Sequence, residues 1–165
     1  MLSKKIEDAL NQQIKGEISS AYLYLSMSAY SSSINLGGFA HWLRLQNQEE
    51  ISHAMRLFDY VNNRGGHVIL QGMDRPSADF KSPVSLFELV FKHEQEVSAS
   101  INKLYELAVQ EKDHATEVEL HWFIQEQVEE EKNAGQILKQ LNMIGEQPAA
   151  LLMMDRQLSS RSPID

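Results

Sequence analysis

The chain has 165 residues and a mass of 18.8 kDa, enough to bury one sizeable core. Eight glycines and four prolines make up about 7% of it, against roughly 12% in average usage, which favours long helices over an all-β fold of tight turns. The absence of cysteine excludes disulfides, thiolate zinc sites, iron–sulfur clusters and a thiol nucleophile, and the net charge of −8 argues against nucleic acid and for cations as partners.

Ser3 reads as the N-cap of a first helix over about 3–33, interrupted only by Gly16. Ile34-Asn35-Leu36-Gly37-Gly38 breaks it, and a second helix runs to Asn62-Asn63-Arg64-Gly65-Gly66, where glycine supplies a left-handed stop. Residues 67–83 carry Gly72, Pro76 and Pro83 and have no helical period. Ser82-Pro83 opens a third helix to about Glu111, Asp113 caps a fourth that ends near Gly145, and Pro148 starts a short fifth. Leu151, Leu152 and Leu158 give that last helix a small apolar face. The longest wholly apolar stretch, Ala149 to Met154, is far too short to cross a membrane, and the N-terminus turns acidic before a signal-peptide core can form. The expectation is a cytoplasmic protein with no membrane partner.

Connection lengths set the topology. Short links make helices one and two, and helices three and four, antiparallel pairs. The stretch 67–83 can reach about 56 Å at 3.3 Å per residue, enough to run the length of a helix of about 40 Å. The predicted architecture is all-α: residues 1–165 form a single domain, a four-helix bundle over about 3–144 with one long crossover and a fifth helix over about 148–160.

Stepping at 3.6 residues traces one core stripe per helix, and each stripe is apolar on both sides of a polar interruption. The interruptions are Glu17 in helix one, Gln46, Glu50 and His53 in helix two, Glu94 in helix three, and Gln127 and Glu130 in helix four. All fall near mid-helix, so an antiparallel bundle can bring them to one level. Four buried carboxylates would cost several kcal/mol each, and no lysine or arginine shares these stripe levels. Two divalent cations would balance the formal charge of four glutamates, with Glu50 and His53 at i, i+3 presenting O and N from one face. Oxygen-rich ligation with one imidazole favours iron or manganese, although zinc fits too.

The segments Gln12-Gln13-Ile14-Lys15-Gly16-Glu17 through Ala21-Tyr22-Leu23-Tyr24, Gln48-Glu49-Glu50-Ile51-Ser52-His53-Ala54, His93-Glu94 and Trp122-Phe123-Ile124-Gln125-Glu126-Gln127-Val128-Glu129-Glu130-Glu131 span most of the chain. Together they resemble the prokaryotic non-haem ferritins, iron-storage proteins of the ferritin-like di-iron carboxylate superfamily. By that resemblance Glu17, Glu50 and His53 would hold one iron, and Glu94 and Glu130 a second, with Glu50 bridging and Gln127 hydrogen-bonding beside them. The fourth helix reads Gln127-x-x-Glu130 where many di-iron proteins repeat Glu-x-x-His, a departure that looks like ferritins. The haem-ligating methionine of bacterioferritins is Ser52 here, so no haem is expected.

Glu49, Glu126 and Glu129 lie one residue off the stripe and, taken alone, read as solvated helix charges. The resemblance makes them, with Glu130, ligands of a third iron site. Tyr24, two turns beyond Glu17, is either a core-packing residue or, by the same resemblance, a phenol that orients a glutamate and supplies an electron. The remaining histidines, including His93, fall off the stripe and read as surface or packing residues. The resemblance implies a ferroxidase that oxidises Fe(II) with O2 or hydrogen peroxide and stores ferric mineral in a homo-oligomeric, 24-subunit shell. Two rival classes remain at this level. A di-iron oxygenase would need a substrate pocket, and a silent structural bundle should carry leucine at the four glutamate positions.

Overall fold

The computed structural model describes residues 2–163. Helices α1 (Lys4–Ser33), α2 (Gly37–Asn63), α3 (Pro83–Gln110), α4 (His114–Ile144) and α5 (Pro148–Leu158) follow one another, with no strand among the described residues. α1 packs along α2 and α3 along α4, with α1 also meeting α3 and α5 lying mainly against α2. This is a four-helix bundle with a long crossover and a short fifth helix.

The local reasons are side-chain caps. Ser3 Oγ accepts from the Ile6 amide, Ser82 Oγ from Ser85 ahead of Pro83, and Asp113 Oδ1 from Thr116, each meeting a donor that the first helical turn leaves free. At the end of α2, Gly65 takes φ +70°, and the Gly66 amide donates back to the Val61 carbonyl at 2.9 Å. Asn35 (φ 62°) and Lys112 (φ 56°) close α1 and α3 in the same way without glycine. The crossover is tied down by Asn11, whose Nδ2 donates to the His67 carbonyl at 2.9 Å and whose Oδ1 accepts from the Ile69 amide at 2.8 Å. Phe80 then buries against Tyr30.

The apolar core is in two parts. One end holds Met27, Phe39, Leu43, Phe87, Val90 and Leu141, and the other Ile6, Leu10, Leu57, Ile101 and Leu120. Between them, at one level of the bundle, lie the buried polar residues of four helices.

α5 forms where expected, but its apolar face is shifted: Met154 and Leu158 are buried in the bundle's own core, while Leu152 and Met153 stay exposed. It also supplies the missing cap of α2. Leu36 offers no side-chain acceptor there, and Asp155 Oδ1 instead accepts from the Gly38 and Phe39 amides at 2.8 and 3.0 Å. A β-carbon on Gly38 would run into the Asp155 carbonyl, whereas one on Gly37 meets nothing within 4 Å. Gly38→Ala is therefore expected to lift α5, lower the thermal midpoint and open Arg156 to trypsin, while Gly37→Ala leaves all three unchanged. Equal behaviour of the two variants would show that α5 does not dock this way.

Candidate metal centre

Each of the four bundle helices contributes to the polar level. α1 brings Glu17, α2 brings Glu50 and His53, α3 brings Glu94, and α4 brings Gln127 and Glu130, all of them buried. Ligand atoms of Glu17, Glu50 and His53 lie within 4.8 Å of one another, and so do those of His53, Glu126 and Glu130. His53 thus belongs to two three-ligand groups, of which only the first follows the expected division. Glu94 belongs to neither group. Its carboxylate accepts from the Tyr24 hydroxyl and, at 3.2 Å, from Gln127 Nε2, which also donates to the Glu94 backbone carbonyl.

A ring of fixed amides surrounds the carboxylates. Ser100 Oγ donates to Gln13 Oε1 at 2.6 Å, which turns Gln13 Nε2 towards Glu17 Oε1 at 2.8 Å. Gln46 Nε2 donates to Glu130 Oε2 at 2.8 Å. These donors leave Glu17 Oε2 and both oxygens of Glu50 buried without any hydrogen-bond partner. A buried unpartnered carboxylate oxygen is costly, and three in one place require either protons or cations.

The electrostatics agree. Burial, reinforced by the neighbouring carboxylates of Glu17, Glu94 and Glu130, pushes Glu50 well above the usual carboxylate range. Burial raises Glu94 to about 7, held back by Tyr24 and Gln127, and raises Glu130 to about 8 with help from the charges of Glu94 and Glu49. Burial also lowers the pKa of His53, which keeps a neutral nitrogen available as a ligand, and raises that of Tyr24, which stays a phenol. The ring of His53 meets Trp122 edge-on at 5.3 Å, and the Arg56 guanidinium stacks on the same indole at 4.2 Å.

A pocket of about 340 Å³ opens onto His53 and Glu126, with Glu49, Ser52, Trp122 and Pro163 also in its lining. It connects the polar level to the exterior between α2 and α4. Its carboxylates and imidazole suit a small cation better than an apolar organic substrate.

The family profile described as a ferritin-like domain matches residues 7–144. The chain belongs to the ferritin family. A bacterial non-heme ferritin of Bacteroides fragilis is 40% identical over 161 residues, which are 98% of this chain and 100% of that protein. Another, of Staphylococcus aureus, is 36% identical over 162 residues, 98% of each chain. An Archaeoglobus fulgidus ferritin engineered into a closed form has a TM-score of 0.98 at 49% identity, covering 99% of this chain and 100% of its own. An open pore ferritin of the same archaeon has a TM-score of 0.97 at 49% identity, over 98% of this chain and 100% of its own.

Some residues of this ferritin behave unlike the sequence-based expectation. An arginine does reach the polar level: Arg161, from the segment after α5, donates from Nη2 to both Glu49 oxygens at 2.8 and 2.7 Å. Glu129 is exposed and belongs to neither three-ligand group. His93 is a packing residue, as expected, but its packing partner is Tyr24, which it meets edge-on at 5.9 Å while its Nε2 bonds to Ser20 Oγ. Gln13 and Gln46 carry no role in the sequence reading, yet each aims an amide at a site glutamate. Their signal is faint, since both are polar residues turned inward on helices whose neighbours at that face are apolar.

Proposed function

We propose that this ferritin is an iron-storage ferroxidase, with residues 1–165 acting as one domain. Fe(II) is the substrate. Glu17, Glu50 and His53 would hold one ion, and Glu94 and Glu130 the second, with Glu50 bridging and Gln127 and Tyr24 orienting Glu94. Each ion gives up one electron. The pair reduces O2 with two protons to hydrogen peroxide, or reduces peroxide with two protons to two waters. The carboxylates favour the more highly charged product and so lower the iron couple. Fe(III) then leaves past His53 and Glu126, by way of an outer position formed by Glu49, Glu126, Glu129 and Glu130. Hydrolysis deposits it as ferric oxide-hydroxide in the cavity of a homo-oligomeric shell, for which we propose 24 subunits in the cytoplasm. No haem has a role in this scheme.

The observation that carries the reading is the set of three unpartnered, buried oxygens on Glu17 and Glu50 beside His53. No donor in the chain satisfies them, so they need protons or cations, and the neutral His53 nitrogen beside them favours a cation. Crystals soaked anaerobically in Fe(II) are expected to show two strong anomalous peaks at the iron edge among these five residues. A weaker third peak is expected near Glu126. Peaks confined to surface carboxylates would overturn the assignment. In His53→Ala, stopped-flow absorbance should show the fast oxidation of the first two Fe(II) per chain slowed about tenfold or more.

A further inference from the structure

Arg161 lies outside every helix, yet its guanidinium is held on all sides. Besides the shared Nη2 contact to both Glu49 oxygens, Nη1 donates to Gln46 Oε1, and the group lies 4.8 Å from the centre of the Trp42 ring. The Arg161 carbonyl accepts from His41 Nε2 at 2.8 Å, which pins the backbone as well. Its side chain is 17% exposed and that of Glu49 13%, so this is a docked pair rather than a loose surface contact.

The contact with Gln46 has a second effect. A guanidinium only donates, so Gln46 must turn its oxygen to Arg161, which leaves Nε2 facing Glu130 Oε2 at 2.8 Å. The opposite amide orientation would set donor against donor at Arg161 and acceptor against acceptor at Glu130. Arg161 therefore reaches two carboxylates, Glu49 directly and Glu130 through Gln46. Pro163, two residues on, lines the pocket that opens onto His53 and Glu126.

We propose that Arg161 is a positioning residue for the outer cation position: its guanidinium occupies Glu49 and, through Gln46, orients Glu130, so a third cation gains Glu49 as a ligand only by displacing it. This rests on the outer position of the proposed function. Glu17, Glu50 and His53 make no contact with Arg161, and an ion held by Glu94 and Glu130 can use the Glu130 oxygen that Gln46 does not engage, so the inner pair fills without disturbing it. Arrival of the third cation at Glu49 frees the guanidinium, and the segment 159–163 withdraws from the pocket mouth with it.

Zn(II), which is not oxidised, is a suitable probe in the full-length, assembled protein. Calorimetric titration is expected to show three ions per chain, the third bound about tenfold more tightly in Arg161→Ala. Arg161→Lys keeps the charge but loses the second nitrogen, which bonds to Gln46, and should fall between the two. The chain has two tryptophans, and subtracting the emission of a W42F protein isolates the Trp42 signal. The third equivalent should change that signal when Arg161 is present and leave it unchanged in Arg161→Ala. A purely structural role for Arg161 would not produce that step. Three ions of equal affinity in all forms, with no emission step, would overturn the proposal alone. Two ions in both wild type and Arg161→Ala would refute the outer position itself and the proposal with it. Two ions in wild type and three in Arg161→Ala would support it.

Discussion

Replacing Glu50 with leucine is expected to make the metal-free protein more stable while abolishing the fast oxidation of the first two Fe(II). The two effects have one origin. Both Glu50 oxygens are buried with no donor, and the carboxylates of Glu17, Glu94 and Glu130 crowd the same level. Folding without a cation must either protonate this group or bury its charge. Replacing buried charged residues with apolar ones of similar size is stabilising in many cases, by about 1–4 kcal/mol. At roughly 2 kcal/mol the thermal midpoint of a chain this long would rise by about 4–8 °C. With Glu50 as the proposed bridging ligand, its loss should cost at least about a hundredfold in initial rate, since even the outer partners of a metal ligand are worth 10–100-fold. Calorimetry in chelator and stopped-flow oxidation check the two halves. Added Zn(II) should reverse the order of stabilities, raising the wild-type midpoint above that of the variant. A leucine variant that is less stable without metal would mean that Glu50 has a structural partner among its neighbours. Wild-type oxidation in the variant would remove it from the centre.

The same energetic conflict explains what could be read in advance. A glutamate in a leucine stripe is visible in one dimension because the period of the helix alone places it inward. Glu17, Glu50, Glu94 and Glu130 were legible for that reason, and so were the helix ends marked by Ser3, Ser82-Pro83, Asp113 and Gly65, whose caps act within a few residues. The cap of α2 was not legible, because Asp155 supplies it from 117 residues away. Nor were the left-handed residues Asn35 and Lys112, which hold φ values that sequence rules reserve mainly for glycine. The finer chemistry was hidden in the same way. Which glutamate oxygen receives a donor depends on Gln13 and Gln46, and each amide is oriented by a distant residue, Ser100 for one and Arg161 for the other. Periodicity finds the acids. Only the fold decides which of them are left without a hydrogen bond, and the protons that those acids hold shape how the centre loads.

Cation binding should release protons, and its affinity should fall steeply as the pH drops below 7. Glu94, at about 7, and Glu130, at about 8, are largely protonated at pH 6.5, and Glu50 lies well above the ordinary carboxylate range. A divalent ion needs their oxygens unprotonated, so binding at pH 6.5 should expel two or more protons per chain. Each such proton makes the apparent affinity fall about tenfold per pH unit of acidification. Titration with Zn(II) in buffers of different ionisation enthalpy counts the protons directly, and the count should shrink as the pH rises past 8. The stability of the metal-free protein should move the other way. These folded-state pKa values are raised above the unfolded value of 4.5, so the folded chain binds more protons than the unfolded chain between about pH 4.5 and 8. The stability from these groups is complete below pH 4.5 and is lost as the pH rises, by up to about 1.4 kcal/mol per pH unit for each proton. The stabilisation gained on adding Zn(II) should therefore grow with pH. A proton count of zero at pH 6.5, with an affinity that does not vary with pH, would show that the carboxylates are already ionised and paired in some other way. The expected count has a bearing on the chemistry too. In the proposed reaction the two protons that Glu94 and Glu130 would give up on Fe(II) binding equal the two that O2 takes up on reduction to hydrogen peroxide, so loading the centre would deliver them beside the step that consumes them.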